Sequence, residues 1–66
     1  MGKNQLFQEA RHLVQYAEKV ASRLIEGDKE KAIAKAENAL SSAYANSSLA
    51  EQKQLSELQQ TLDRIK

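Results

Sequence analysis

The 66-residue chain contains no cysteine, no proline and no tryptophan, and its two glycines are Gly2 and Gly27. Without cysteine there is no disulfide to restrict the unfolded chain and no thiolate to bind zinc or attack a substrate. Without proline, and with one glycine in the interior, little interrupts a helix. Aromatic residues are scarce, one Phe and two Tyr, so no stacking platform for nucleic acid is available. An excess of one charge sign is missing as well, since ten Lys and Arg against nine Asp and Glu leave a formal net charge of +1. Domains that grip phosphate backbones usually carry a basic excess. No apolar run approaches the roughly 20 residues of a membrane span. The opening MGKNQ has no apolar stretch after its lysine, so neither a membrane segment nor a signal peptide is expected, and a cytoplasmic location follows by default.

What is present is helical periodicity. Leu6, Ala10, Leu13, Ala17, Val20 and Leu24 are spaced alternately by four and three, one stripe of an α-helix. Phe7, Val14, Ala21 and Ile25 form a second row beside it, a face wide enough for two neighbours. Gly27 suits a left-handed C-terminal cap and Asp28 an N-cap for the next helix. That helix has a mostly small inward face: Ala32, Ile33, Ala36, Ala39, Leu40 and Ala43. In Ser48-Leu-Ala-Glu51 a capping box is legible, because the serine can accept from the backbone of Glu51 while the glutamate reaches back. Asn46 tolerates the left-handed conformation of a turn. Leu55, Leu58, Leu62 and Ile65 then give a third, narrow stripe. The spacing predicts an all-α, antiparallel three-helix bundle with helices at about 5–26, 29–45 and 49–65, one domain over 1–66 with residues 1–4 frayed.

Chemistry finds little foothold. His12 is the single histidine. Glu9 and His12 match a Glu-x-x-His spacing used by di-iron bundles, but such sites need two copies and further inward carboxylates, where the second helix offers alanine and leucine. No metal, cofactor or catalytic residue is expected. The serines lack a neighbouring base, and carboxylates on polar helix faces have nothing to desolvate them.

Two local likenesses concern shape. GDKEKAIAKAENAL (Gly27–Leu40) resembles the second helix of a tetratricopeptide repeat, through Gly27, Ala32, Ala39 and Leu40. The preceding helix departs from that pattern at Lys19, Val20 and Arg23, and one repeat makes no concave groove. The hairpin is also similar in part to microtubule-interacting-and-trafficking domains, three-helix bundles whose grooves take partner helices. LFQEAR (Leu6–Arg11) and ALSSAYANSSLAEQKQL (Ala39–Leu55) resemble, over nearly the whole chain, a domain-of-unknown-function family of short proteins from spore-forming Gram-positive bacteria. That resemblance implies a small cytosolic bacterial protein and brings no activity or site residues with it.

The functional expectation is a non-catalytic protein-interaction or self-association module, without catalytic activity of its own. Phe7, Val14, Ile25, Tyr44 and Leu49 are the candidate contacts for a protein partner, and a homodimer is a second use of the same apolar surface. The alternative is a nucleic-acid accessory protein using Lys19, Arg23, Lys29, Lys31 and Lys35, although acids alternate with these bases.

Overall fold

The structure is a computed structural model that describes residues 5–66, so the fraying expected of residues 1–4 lies outside the described residues. Helix α1 spans Gln5–Ala21, α2 spans Lys29–Ala45 and α3 spans Leu49–Ile65. Each has 17 residues, about 25 Å of helix, in a molecule of 32 × 22 × 16 Å. All three pack against one another, and α1 with α2 most extensively.

The core explains that preference. Ala10, Ala17, Ala32, Ala36 and Ala43 are five of the twelve buried hydrophobic residues among those described. All five lie on α1 and α2, whose small ridges let two helix axes come close. The bulk comes from α3, where Leu55 and Leu62 are 1 % and 0 % exposed. Leu13, Ala39, Leu58 and Ile65 close the periphery. No polar side chain is buried among the described residues.

Both predicted N-caps form. Asp28 Oδ1 accepts from the Lys31 N–H at 3.2 Å. Ser48 Oγ accepts from the Glu51 N–H at 3.4 Å while Glu51 Oε1 accepts from the Ser48 N–H at 3.1 Å, the full capping box. Ser48→Ala is expected to lower stability by about 1 kcal/mol, read as a lower urea midpoint with an unchanged slope.

The end of α1 differs from the expected residue 26. The helix stops at Ala21, where the Arg23 N–H donates to Val20 O at 3.0 Å and the Leu24 N–H to Lys19 O at 2.9 Å. These are the two bonds of a Schellman turn, and its left-handed position is held by Arg23, at φ 63, in place of the expected Gly27. Gly27 does other work and has no positive φ. A Cβ there would lie 2.8 Å from the Tyr16 Oη and 3.0 Å from Val20 Cγ2, so glycine lets the loop fold back on α1 without displacing the Tyr16 ring or pressing on Val20. Leu24, expected on the inward stripe, is 75 % exposed as a result.

Asn46 is a second difference. Its φ of −114 lies outside the left-handed region. It closes α2 through its side chain instead, with Nδ2 donating to Ser42 O at 2.9 Å and its N–H to Ala43 O at 3.1 Å. The Ser47 hydroxyl donates to Ala43 O. From α3, Gln52 Nε2 donates to Tyr44 O at 3.3 Å. The serine-rich connector therefore satisfies the last carbonyls of α2, groups that every helix leaves without an internal partner.

Candidate interaction surface

The five expected partner contacts separate into two sets. Phe7 and Val14 are buried in the core, Phe7 beside Gln54, Leu58 and Thr61 of α3, because α1 packs on both neighbours it was wide enough to touch. Ile25, Tyr44 and Leu49 remain exposed, with Tyr44 half in solvent and Leu49 at 86 %. Ile25 sits in the α1–α2 loop with Leu24. Tyr44 and Leu49 flank the α2–α3 connector, which in an antiparallel bundle is the opposite end. Structure thus divides the exposed apolar surface between the two ends of the molecule, and α1 contributes little of it beyond Leu6 and Tyr16.

At the connector end a shallow groove runs between α2 and α3, lined by Leu40, Ser41, Tyr44, Leu55, Ser56 and Gln59. Leu40 and Leu55 are its floor and are themselves buried. Ser41 and Ser56 are short, so the floor stays open between the helices, and Tyr44 stands at one end. Leu49 lies seven residues before Ser56, on the same side of α3 two turns earlier. Reasoning from sequence picked out Tyr44 and Leu49 but missed Ser41, Ser56 and Gln59. Their place depends on the register of α2 against α3, which no spacing within one helix reveals.

The basic residues of the alternative reading do not share one surface. Lys19 borders a depression with Gln15, Glu18, Ser22 and Leu24. Lys29 borders a different one with Glu30, Ile33, Ala34, Glu37 and Lys66. Lys31 and Lys35 are exposed along α2, one turn apart, and Arg23 is exposed in the loop. Each depression places acids beside its bases. Glu9 and His12 are both exposed on α1, and no group of three or more His, Cys, Asp or Glu side chains among the described residues could hold a metal ion.

One ion-pair cluster crosses between helices. Lys66 Nζ lies 2.5 Å from Glu37 Oε2 and 3.4 Å from Asp63 Oδ1. The hydrogen bond to Glu37, then that to Asp63, raises the lysine above its ordinary value. A raised amine stabilises the fold while it is protonated, so this contribution is present below the ordinary lysine range and is lost as pH climbs through the raised value. At a fully solvated site it is small. It ties the end of α3 to the middle of α2.

The described residues include no helix long and apolar enough to cross a membrane. The family described as "Protein of unknown function (DUF3813)" matches residues 1–65. The chain belongs to this family. It is also 51 % identical over 63 residues to "Uncharacterized protein YizC" of Bacillus subtilis (strain 168), an alignment that covers 96 % of this chain and 97 % of that relative. No solved structure matches it. The DUF3813 match takes in all three helices, the α1–α2 loop and the groove beside Tyr44. This is the membership that LFQEAR and ALSSAYANSSLAEQKQL imply.

Proposed function

We propose that the chain is a non-catalytic interaction module that receives an apolar helix of a partner protein along the groove between α2 and α3. The observation that carries this reading is the absence of charge from the groove. All six lining residues are uncharged, in a chain where 29 % of residues are charged. Three other depressions each hold at least two charged side chains: Lys29, Glu30, Glu37 and Lys66 in one, Arg11 and Glu57 in the second, Glu18 and Lys19 in the third. Interface centres are depleted in charge and enriched in tyrosine, and a half-exposed Tyr44 beside an exposed Leu49 supplies the anchors such a contact uses. An amphipathic helix laid in a groove is a recurrent mode of recognition. The nucleic-acid reading is the weaker one, since its bases are dispersed and interleaved with acids.

The test compares proteins retained from the native cell by the unmodified chain and by Tyr44→Ala and Ser56→Arg variants of unchanged helicity. Binding that depends on the groove is lost in both, because one variant removes the anchor and the other fills the floor with a charge; the loss expected is roughly tenfold or more in affinity. Retention of the same proteins by all three forms at equal strength would rule the groove out.

A further inference from the structure

We infer that residues 22–28 are a hinge: the loop that caps α1 straightens into helix, fuses α1 to α2, and passes α1 to a second copy of this chain. This goes beyond the groove reading and uses the other end of the bundle.

Four observations converge on the loop. The apolar spacing of α1 continues past its end, from Val20 to Leu24 and from Ala21 to Ile25, in step with a helix that has already stopped. Residues 22–26 (Ser, Arg, Leu, Ile, Glu) contain no breaker, and Arg, Leu and Glu are good helix formers. Arg23 is held in the left-handed region, which disfavours any residue with a Cβ. Leu24 and Ile25 are 75 % and 39 % exposed, although both continue rows that are buried earlier in α1. The closed loop is therefore strained at one residue, leaves two apolar side chains in water, and accepts only glycine at position 27 without displacing Tyr16 or Val20.

A continuous helix removes each of these features. Arg23 returns to right-handed geometry, and Gly27 no longer approaches Tyr16. A monomer cannot bury its core in that form, because α1 then points away from its own α2. A second copy supplies the missing face: each α1 packs against α2 and α3 of the other chain through the contacts already described. The two hinge segments run side by side, so Leu24 and Ile25 of one chain meet those of the other. Exchange of an identical element is a low-cost route to a dimer for this reason. The helix penalty of Gly27 and the Asp28 cap oppose opening and keep the closed monomer favoured in dilute solution.

Two substitutions move the equilibrium in opposite directions. Arg23→Gly suits the closed turn and weakens the open helix. Gly27→Ala does the reverse, favouring helix and clashing in the closed loop. An effect of roughly fivefold per chain acts at two hinges, so the dimer association constant should change by about 25-fold each way, measured by sedimentation across a concentration series. Exchange is separated from side-by-side pairing by a distance within one chain. Exposed Gln8 and Ser42, replaced by cysteines in this cysteine-free chain and spin-labelled, are diluted into excess unlabelled protein. In the closed fold Gln8, near the start of α1, and Ser42, near the end of α2, share one end of an antiparallel hairpin and are close together. In an open chain 34 residues of continuous helix set them about 50 Å apart.

Expected is a concentration-dependent dimer showing the long distance, strengthened by Gly27→Ala and weakened by Arg23→Gly, with helicity retained. A dimer that keeps the short distance, or a monomer at every concentration in both the natural chain and Gly27→Ala, overturns the hinge. If Gly27→Ala loses helicity, the natural chain and Arg23→Gly decide by the same two measurements. None of these results depends on Tyr44 or Ser56, so the groove reading stands or falls separately.

Discussion

Replacing Leu62 with alanine is expected to leave about half of the molecules unfolded at room temperature. Leu62 has no exposed surface and, with Leu55 and Val14, is one of the largest fully enclosed side chains. Truncating such a leucine removes its transfer energy and opens a cavity, together about 2–5 kcal/mol. A single core in a chain of this size rarely supplies more than about 3–5 kcal/mol. The two quantities are comparable, so the variant sits near its midpoint without any denaturant. Circular dichroism should show a large loss of helical signal and no cooperative thermal transition. Leu49→Ala is the control, because its parent is almost wholly in solvent and its cost should stay within about 0.5 kcal/mol. Equal effects from the two substitutions would mean that α3 does not pack as described.

The second large effect is expected from adding bulk. Ala36 is fully buried on α2, on the face that meets α1, and Ala36→Leu inserts three extra carbons where the helices are held close by small residues. Overpacking of a filled site costs about 1–3 kcal/mol, again most of what the fold has to lose. The alternative to strain is separation of the two helices, which would also uncover Ala10, Ala17 and Ala43. Ala34→Leu is the matched control, exposed two residues earlier on the same helix, and should be neutral within about 0.5 kcal/mol. Urea midpoints of the two variants distinguish a close alanine interface from a loose one: the account predicts a clear drop for Ala36→Leu alone.

How far these features were legible depends on the range of the interaction that sets them. Asp28 and Ser48 cap from three residues away, and such spacing is visible in a sequence. So are the bounds of α2 and α3 and the alanine face at Ala32, Ala36 and Ala43, all of which rest on contacts within one or two turns. The end of α1 was not legible. Its apolar rows run on through Leu24 and Ile25, and the glycine that looked like the cap stands four residues beyond the turn. What places Gly27 is its approach to Tyr16 and Val20, a contact over seven to eleven residues that no local rule contains. Asn46 shows a smaller case of the same kind: a turn residue was expected, and its amide rather than its φ closes the helix.

The candidate site followed the same division. Exposure of Tyr44 and Leu49 came with the connector, which the capping box located. Phe7 and Val14 could not be told from surface anchors, since a second apolar row on α1 serves either a partner or the bundle's own core, and only the packed structure shows both residues enclosed. The groove itself needed the register of two helices. The short side chains of Ser41 and Ser56 carry no signal apart from one another.

Residue-resolved hydrogen exchange in dilute solution tests the central claim most directly, because protection reports which backbone bonds share one core. Three protected blocks are expected, within 5–21, 29–45 and 49–65, of similar opening free energy, with residues 25–28 exchanging rapidly and the exposed turn bonds at 22–24 and 46–48 opening more easily than the helices. Protection running unbroken from α1 through residue 26 at low concentration, or an α3 that exchanges as fast as the loops, would contradict it.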